Sequence, residues 1–140
     1  MTRACYRKLK RYKYQLMEPY ELFIGIRGYT VDTPYLILSE DGILVISQGY
    51  AWDGPSGPTI DTKDFMRGSL VHDALYQLIR MEVLPLQYKK FADLLLKKIC
   101  LEDGMPNFRA DYVYYAVRFF GGSSAVPGSE KPDEIICVPE

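Results

Sequence analysis

The hydrophobic period of this chain changes once, and a Gly/Pro-rich segment marks the place. Before Trp52-Asp53-Gly54-Pro55-Ser56-Gly57-Pro58 the pattern is that of strands. Lys10 to Met17 alternates apolar and polar residues. Tyr20 to Ile26 is rich in aromatic and β-branched residues. Tyr35–Leu38 and Ile43–Ser47 flank Glu40-Asp41-Gly42, a hairpin turn signal. Gly49–Trp52 reads as an extension of the second of these strands. After the break the period becomes helical. A first helix is expected from an N-cap at Asp61 or Thr62 to about Met81, with Phe65, Ser69, His72, Tyr76 and Ile79 on one face. Pro85 opens a second helix and Gly104 stops it. Its apolar face is Tyr88, Ala92, Leu95 and Ile99, widened by Phe91 and Leu94. A third runs from Pro106 or Asn107 to Gly121-Gly122 and carries an aromatic face of Phe108, Tyr112, Tyr115 and Phe119. The expected fold is α+β: N-terminal antiparallel β hairpins in a small sheet, followed by a three-helix unit. Residues 1–122 are expected to form a single domain, with 123–140 a partly flexible tail.

The length of 140 residues supports a core without metal or disulfide staples. With 48% apolar and 25% charged residues, the composition is that of an ordinary soluble globular protein. No apolar run approaches the roughly 18 residues that a membrane span needs. The basic start is followed by no hydrophobic stretch, so no secretory leader is expected. Cys5, Cys100 and Cys137 are odd in number and far apart, which points to reduced thiols in a cytoplasmic setting, with Cys100 a small core residue.

Charge is unevenly spread. Arg3, Arg7, Lys8, Lys10, Arg11 and Lys13 place six positive charges in the first 13 residues, so a net charge of -1 leaves -7 on the rest. This arm, with its interleaved tyrosines, is a candidate binding segment for an anionic surface. A solvated edge strand is its preferred reading, with Gln15 on the polar side, and nucleic acid is not an expected partner. Trp52, at the mouth of the Gly/Pro segment, is a further binding candidate.

His72 is the only histidine, and its surroundings make it the chemical focus. Asp73 follows it and Tyr76 lies one turn on. A short connection makes the first two helices antiparallel neighbours, so Asp93 on the second can hold one imidazole nitrogen while the other takes a proton from water. Asp73 points about 100° away round the helix. It suits a hard cation instead, with carbonyls of Gly54, Ser56 and Gly57 and with Asp53 or Asp61 as further oxygen ligands. One histidine with scattered cysteines argues against zinc. The same residues also fit a buried structural pair, in which Asp93 caps His72 and holds two helices in register. Gly68, costly inside a helix by about 1 kcal/mol relative to Ala, signals close approach of a neighbouring backbone or a ligand.

The order of Gly54-Pro55-Ser56-Gly57, His72-Asp73 with Tyr76, and Asp93 resembles phospholipase A2 over Trp52 to Cys100. It is closest to the disulfide-free phospholipase domain of parvovirus capsid proteins. The resemblance implies calcium held by the loop and Asp73, His72 as the base that activates water, Asp93 as its orienting acid, and phospholipid as substrate. A second resemblance covers nearly the whole chain. Gly49-Tyr50-Ala51-Trp52-Asp53-Gly54-Pro55-Ser56, His72-Asp73-Ala74-Leu75-Tyr76 and Ala92-Asp93 are similar to a family of phage and prophage proteins with a domain of unknown function. It implies a host-cytoplasmic or virion-associated setting. The non-enzymatic alternative is then an accessory or virion protein that binds a host or viral protein partner.

Overall fold

The computed structural model describes residues 4–8, 14–52 and 62–120. The fold is α+β, with antiparallel strands in two small sheets followed by three helices. Contacts divide the described residues into a β unit, 4–8 and 14–52, and a helical unit, 62–120.

The β unit contains β1 (Tyr6–Lys8), β2 (Tyr14–Leu16), β3 (Tyr20–Phe23), β4 (Val31–Asp32), β5 (Leu36–Leu38), β6 (Ile43–Ile46) and β7 (Ala51–Trp52). One sheet has the order β1-β2-β7 and the other β3-β6-β5-β4, with antiparallel pairing throughout. The expected hairpin is β5–β6, paired Leu36↔Ile46 and Leu38↔Leu44. Its buried positions are Leu36, Leu38, Leu44 and Ile46, so alternation puts one apolar row inside. Each such side chain contributes on the order of 1.5–3 kcal/mol. The turn holds because Gly42 takes φ +96°, and because a Cβ there would lie 3.2 Å from the backbone of Gly25. The Ser39 hydroxyl oxygen accepts the Ile43 N–H at 3.0 Å and completes it.

The structure departs from the alternation rule in two places. Ala51–Trp52 does not extend β6 but pairs with β2 in the other sheet, with Tyr14 opposite Trp52. The chain can cross because Gly49 adopts φ +98°. In β2, Gln15 is buried with Tyr14 and Leu16 rather than facing water. Its Nε2 donates to the Gly49 carbonyl at 3.2 Å, which compensates the burial.

The helical unit contains α1 (Lys63–Arg80), α2 (Lys89–Glu102), entered through a 3-10 turn at Leu86–Tyr88, and α3 (Asn107–Phe120). Thr62 is the N-cap of α1 by position, without a side-chain capping bond, and Asp64 in the first turn and Arg80 in the last are favourable to the helix dipole. Of its 18 residues 15 are buried, so the single expected face becomes a helix enclosed nearly all round. Gly68 is where α2 comes closest. A Cβ there would meet Leu96 Cδ1 at 2.9 Å, Cys100 Sγ at 3.1 Å and the Leu96 carbonyl at 3.3 Å. The α2 helix ends in a Schellman motif: Met105 N–H donates to the Cys100 carbonyl and Gly104 N–H to that of Leu101, with Gly104 at φ +96°. Phe65, Leu96, Cys100, Met105, Ala110, Val113 and Val117 form the shared core. No helix among the described residues is long and apolar enough to cross a membrane.

Two helical faces differ from the sequence pattern. On α2 the buried positions are Ala92, Asp93, Leu96, Ile99 and Cys100, while Leu94 is exposed. The inward face is thus turned so that a carboxylate lies within it. On α3 the inward face is the small one, Ala110, Val113, Ala116 and Val117, and the aromatic face points to water.

Candidate active site on the first two helices

The antiparallel course of α1 and α2 is visible in their pairings. His72 meets Asp93, Gly68 meets Leu96, and Arg67 meets Glu102 and Asp103. This arrangement brings three residues singled out in the sequence into one cluster. His72 Nε2 lies 2.7 Å from Asp93 Oδ1, and the Tyr76 hydroxyl donates to the same oxygen at 2.5 Å. His72 and Tyr76, one helical turn apart, also have ring centroids 4.1 Å apart.

Asp93 is 0% exposed and His72 is 7% exposed. A carboxylate so placed must have its charge met. Its second oxygen, Oδ2, accepts from Arg118 Nη1 of α3 at 2.9 Å and from Lys89 Nζ at 3.5 Å. Burial alone pushes the Asp93 carboxyl up. Hydrogen bonds from His72, Tyr76 and Arg118 outweigh that push and hold it below its ordinary value. Burial, and then the bond to Asp93, raises the Tyr76 phenol, which therefore stays a donor.

These facts fix the imidazole tautomer. An ionised Asp93 only accepts, so Nε2 must carry a proton. In the neutral ring Nδ1 is then the lone-pair nitrogen, and it has no hydrogen-bond partner among the described residues. Chemically the arrangement is an oriented base.

Asp73 lies beside this cluster on the same helix and is half-buried. Its negative charge is felt at Tyr76. The other predicted oxygen ligands, Asp53, Gly54, Ser56 and Gly57, lie outside the described residues, as does Asp61. Among the described residues no group of three His, Cys, Asp or Glu side chains could hold a metal ion. Asp93 has no lone pair to spare, because four donors already occupy its two oxygens. Asp73 by itself falls far short of the six to eight oxygens that calcium takes. The described residues thus do not make a calcium site, and no chemical step is assigned to a cation.

Trp52 is buried in the β unit, with its ring 5.6 Å from that of Tyr14 and 6.4 Å from that of Tyr50. Arg7 and Lys8 lie on the edge strand β1. Arg3, Lys10 and Arg11 are outside the described residues. Lys89 and Arg118 were not foreseen. Lys89 was available as the i−4 neighbour of Asp93 on one helix. Arg118 reaches Asp93 only through the fold of α3 onto α2, and no local pattern announces it. Comparison with protein-family models, with curated proteins and with solved structures gave no match.

Proposed function

We propose that this protein is a hydrolase of carboxylic esters in phospholipids, with His72 as the general base. The observation that carries the reading is the anchoring of Nε2 on a buried, ionised Asp93, which leaves Nδ1 as the basic nitrogen. A water on Nδ1 gives its proton to the imidazole as its oxygen bonds to the ester carbonyl carbon. Asp93 stabilises the imidazolium that forms. The proton then passes to the alcohol oxygen as its bond to the acyl carbon breaks. The products are a fatty acid and a lysophospholipid. Tyr76 and Arg118 position Asp93 and do not touch substrate. Any calcium in this reading would be held by Asp73 together with residues 53–57, which lie outside the described residues, and no step above is routed through it. A phage or prophage setting, as a host-cytoplasmic or virion-associated enzyme, accords with the sequence motifs.

The test is hydrolysis of mixed phospholipid vesicles, with calcium and with chelator, by the native chain and by His72→Gln. General-base catalysis predicts that the variant loses roughly 100- to 10,000-fold in turnover while its helix content is kept. Turnover that chelator leaves unchanged would remove calcium from the reading. No turnover at all, with the variant merely less stable, would sink the enzyme.

The near-complete burial of His72 and Asp93 favours a second reading. Donors from three helices converge on one carboxylate, as in a structural clamp. The protein is then a non-enzymatic accessory or virion protein that binds a host or viral protein. Under that reading every substitution in the cluster moves stability alone.

A further inference from the structure

The exposed face of α3 is an aromatic seam. Phe108 is 79% exposed, Tyr112 50%, Tyr115 59% and Phe119 81%. Their spacing is four, three and four residues, the 3.5-residue period of a coiled-coil seam rather than of scattered surface residues. Such a seam normally packs against another helix. The inward face of α3 is already used by Ala110, Val113, Ala116 and Val117, so the seam is a second contact face on the same helix.

The seam reads the same in both directions: Phe, Tyr, Tyr, Phe at symmetric intervals. A two-fold interface requires that residue i meet residue j and residue j meet residue i. An antiparallel pair of identical helices meets that condition here. Phe108 falls opposite Phe119 of a second copy, and Tyr112 opposite Tyr115. At about 200 Å² per aromatic side chain, the seam exposes roughly 500 Å². That is a large share of the roughly 800 Å² per partner in a stable interface.

Charge argues against an anionic lipid surface as the occupant. The two arginines of α3 are engaged elsewhere, Arg118 with Asp93 at 2.9 Å and Arg109 with Asp64 at 3.9 Å. Asp111, the acid on the outer side of the helix, is paired with Lys97 at 2.6 Å. What α3 presents outward is thus apolar and close to neutral, which suits a like surface. We propose that α3 is a self-association helix, packing antiparallel about a two-fold axis on the α3 helix of a second copy of this chain.

Sedimentation of the full chain across micromolar concentrations should show a monomer–dimer equilibrium. Tyr112→Glu should raise the dimer dissociation constant roughly tenfold or more. Phe108→Ser and Phe119→Ser alter the two most exposed rings, so they should weaken the dimer with unchanged circular dichroism, and with unchanged melting at concentrations where the native chain is monomeric. Register is read by disulfide trapping with Cys5 and Cys137 replaced by Ser. Phe108→Cys mixed with Phe119→Cys should cross-link faster than either variant alone. A monomer at every concentration would overturn the proposal, as would a dimer indifferent to Tyr112→Glu or like-with-like cross-linking. Binding of monomer to anionic vesicles that Tyr112→Glu abolishes would overturn it in favour of a lipid surface.

Discussion

A carboxylate sealed from water persists only if its charge is met on every side, and Asp93 shows how this chain does it. Four donors from three helices converge on two oxygens, and the balance of burial against hydrogen bonding leaves the carboxyl ionised. Tyr76 tests that balance. Tyr76→Phe removes one donor, leaves the ring in place, and is expected to cost about 1–3 kcal/mol in urea unfolding. An unchanged midpoint would show that the remaining donors suffice. At this scale the sequence was partly legible. The i, i+4 spacing of His72 and Tyr76 put both on one face, and the short link between helices made Asp93 reachable. Arg118 was not legible, because 25 residues of chain separate it from Asp93 and only helix packing closes the distance.

At the scale of elements, propensity and packing disagree at Gly68. Helix propensity says that Gly68→Ala should stabilise α1 by about 1 kcal/mol. The approach of α2 says otherwise, because the added methyl would overlap Leu96 and press on its carbonyl. Overpacking of that kind costs about 1–3 kcal/mol, so the variant is expected to be less stable overall. Thermal unfolding decides it, and a raised melting temperature would mean that α2 yields easily. Gly68 was readable as a signal of close approach, although the sequence did not say what approached. The inward face of α2 was not readable. An apolar periodicity count excludes Asp93, whereas the folded helix buries it and leaves Leu94 in water. Fixed donors on α1 and α3 make the carboxylate the better inside residue at that position.

At the scale of the whole molecule, Asp93 also sets the acid limit. Its folded value lies below the ordinary 3.8, so its stabilisation is complete above that pH and is lost as pH falls through the folded value. Loss of stability should therefore steepen below about pH 4. Asp93→Asn should be less stable at neutral pH and show a shallower acid limb. Cys100 acts at the other end. Burial raises its thiol to about 12 from 9.0, so its contribution is whole below 9.0 and falls away as pH rises towards 12. Urea midpoints across pH measure both limbs, and an acid limb equally steep in Asp93→Asn would assign it to other carboxylates.

The sequence by itself determined the class of fold, the β5–β6 hairpin, the limits of α1 and the glycine stop of α2. These depend on local physics: side-chain period, turn geometry, capping and the conformational freedom of glycine. Only the tertiary structure decided that Ala51–Trp52 joins a different sheet, that α3 turns its aromatic face outward, and that Arg118 and Lys89 complete the charge balance at Asp93. Those outcomes depend on which surfaces compete for burial, and that competition exists only once the elements are packed.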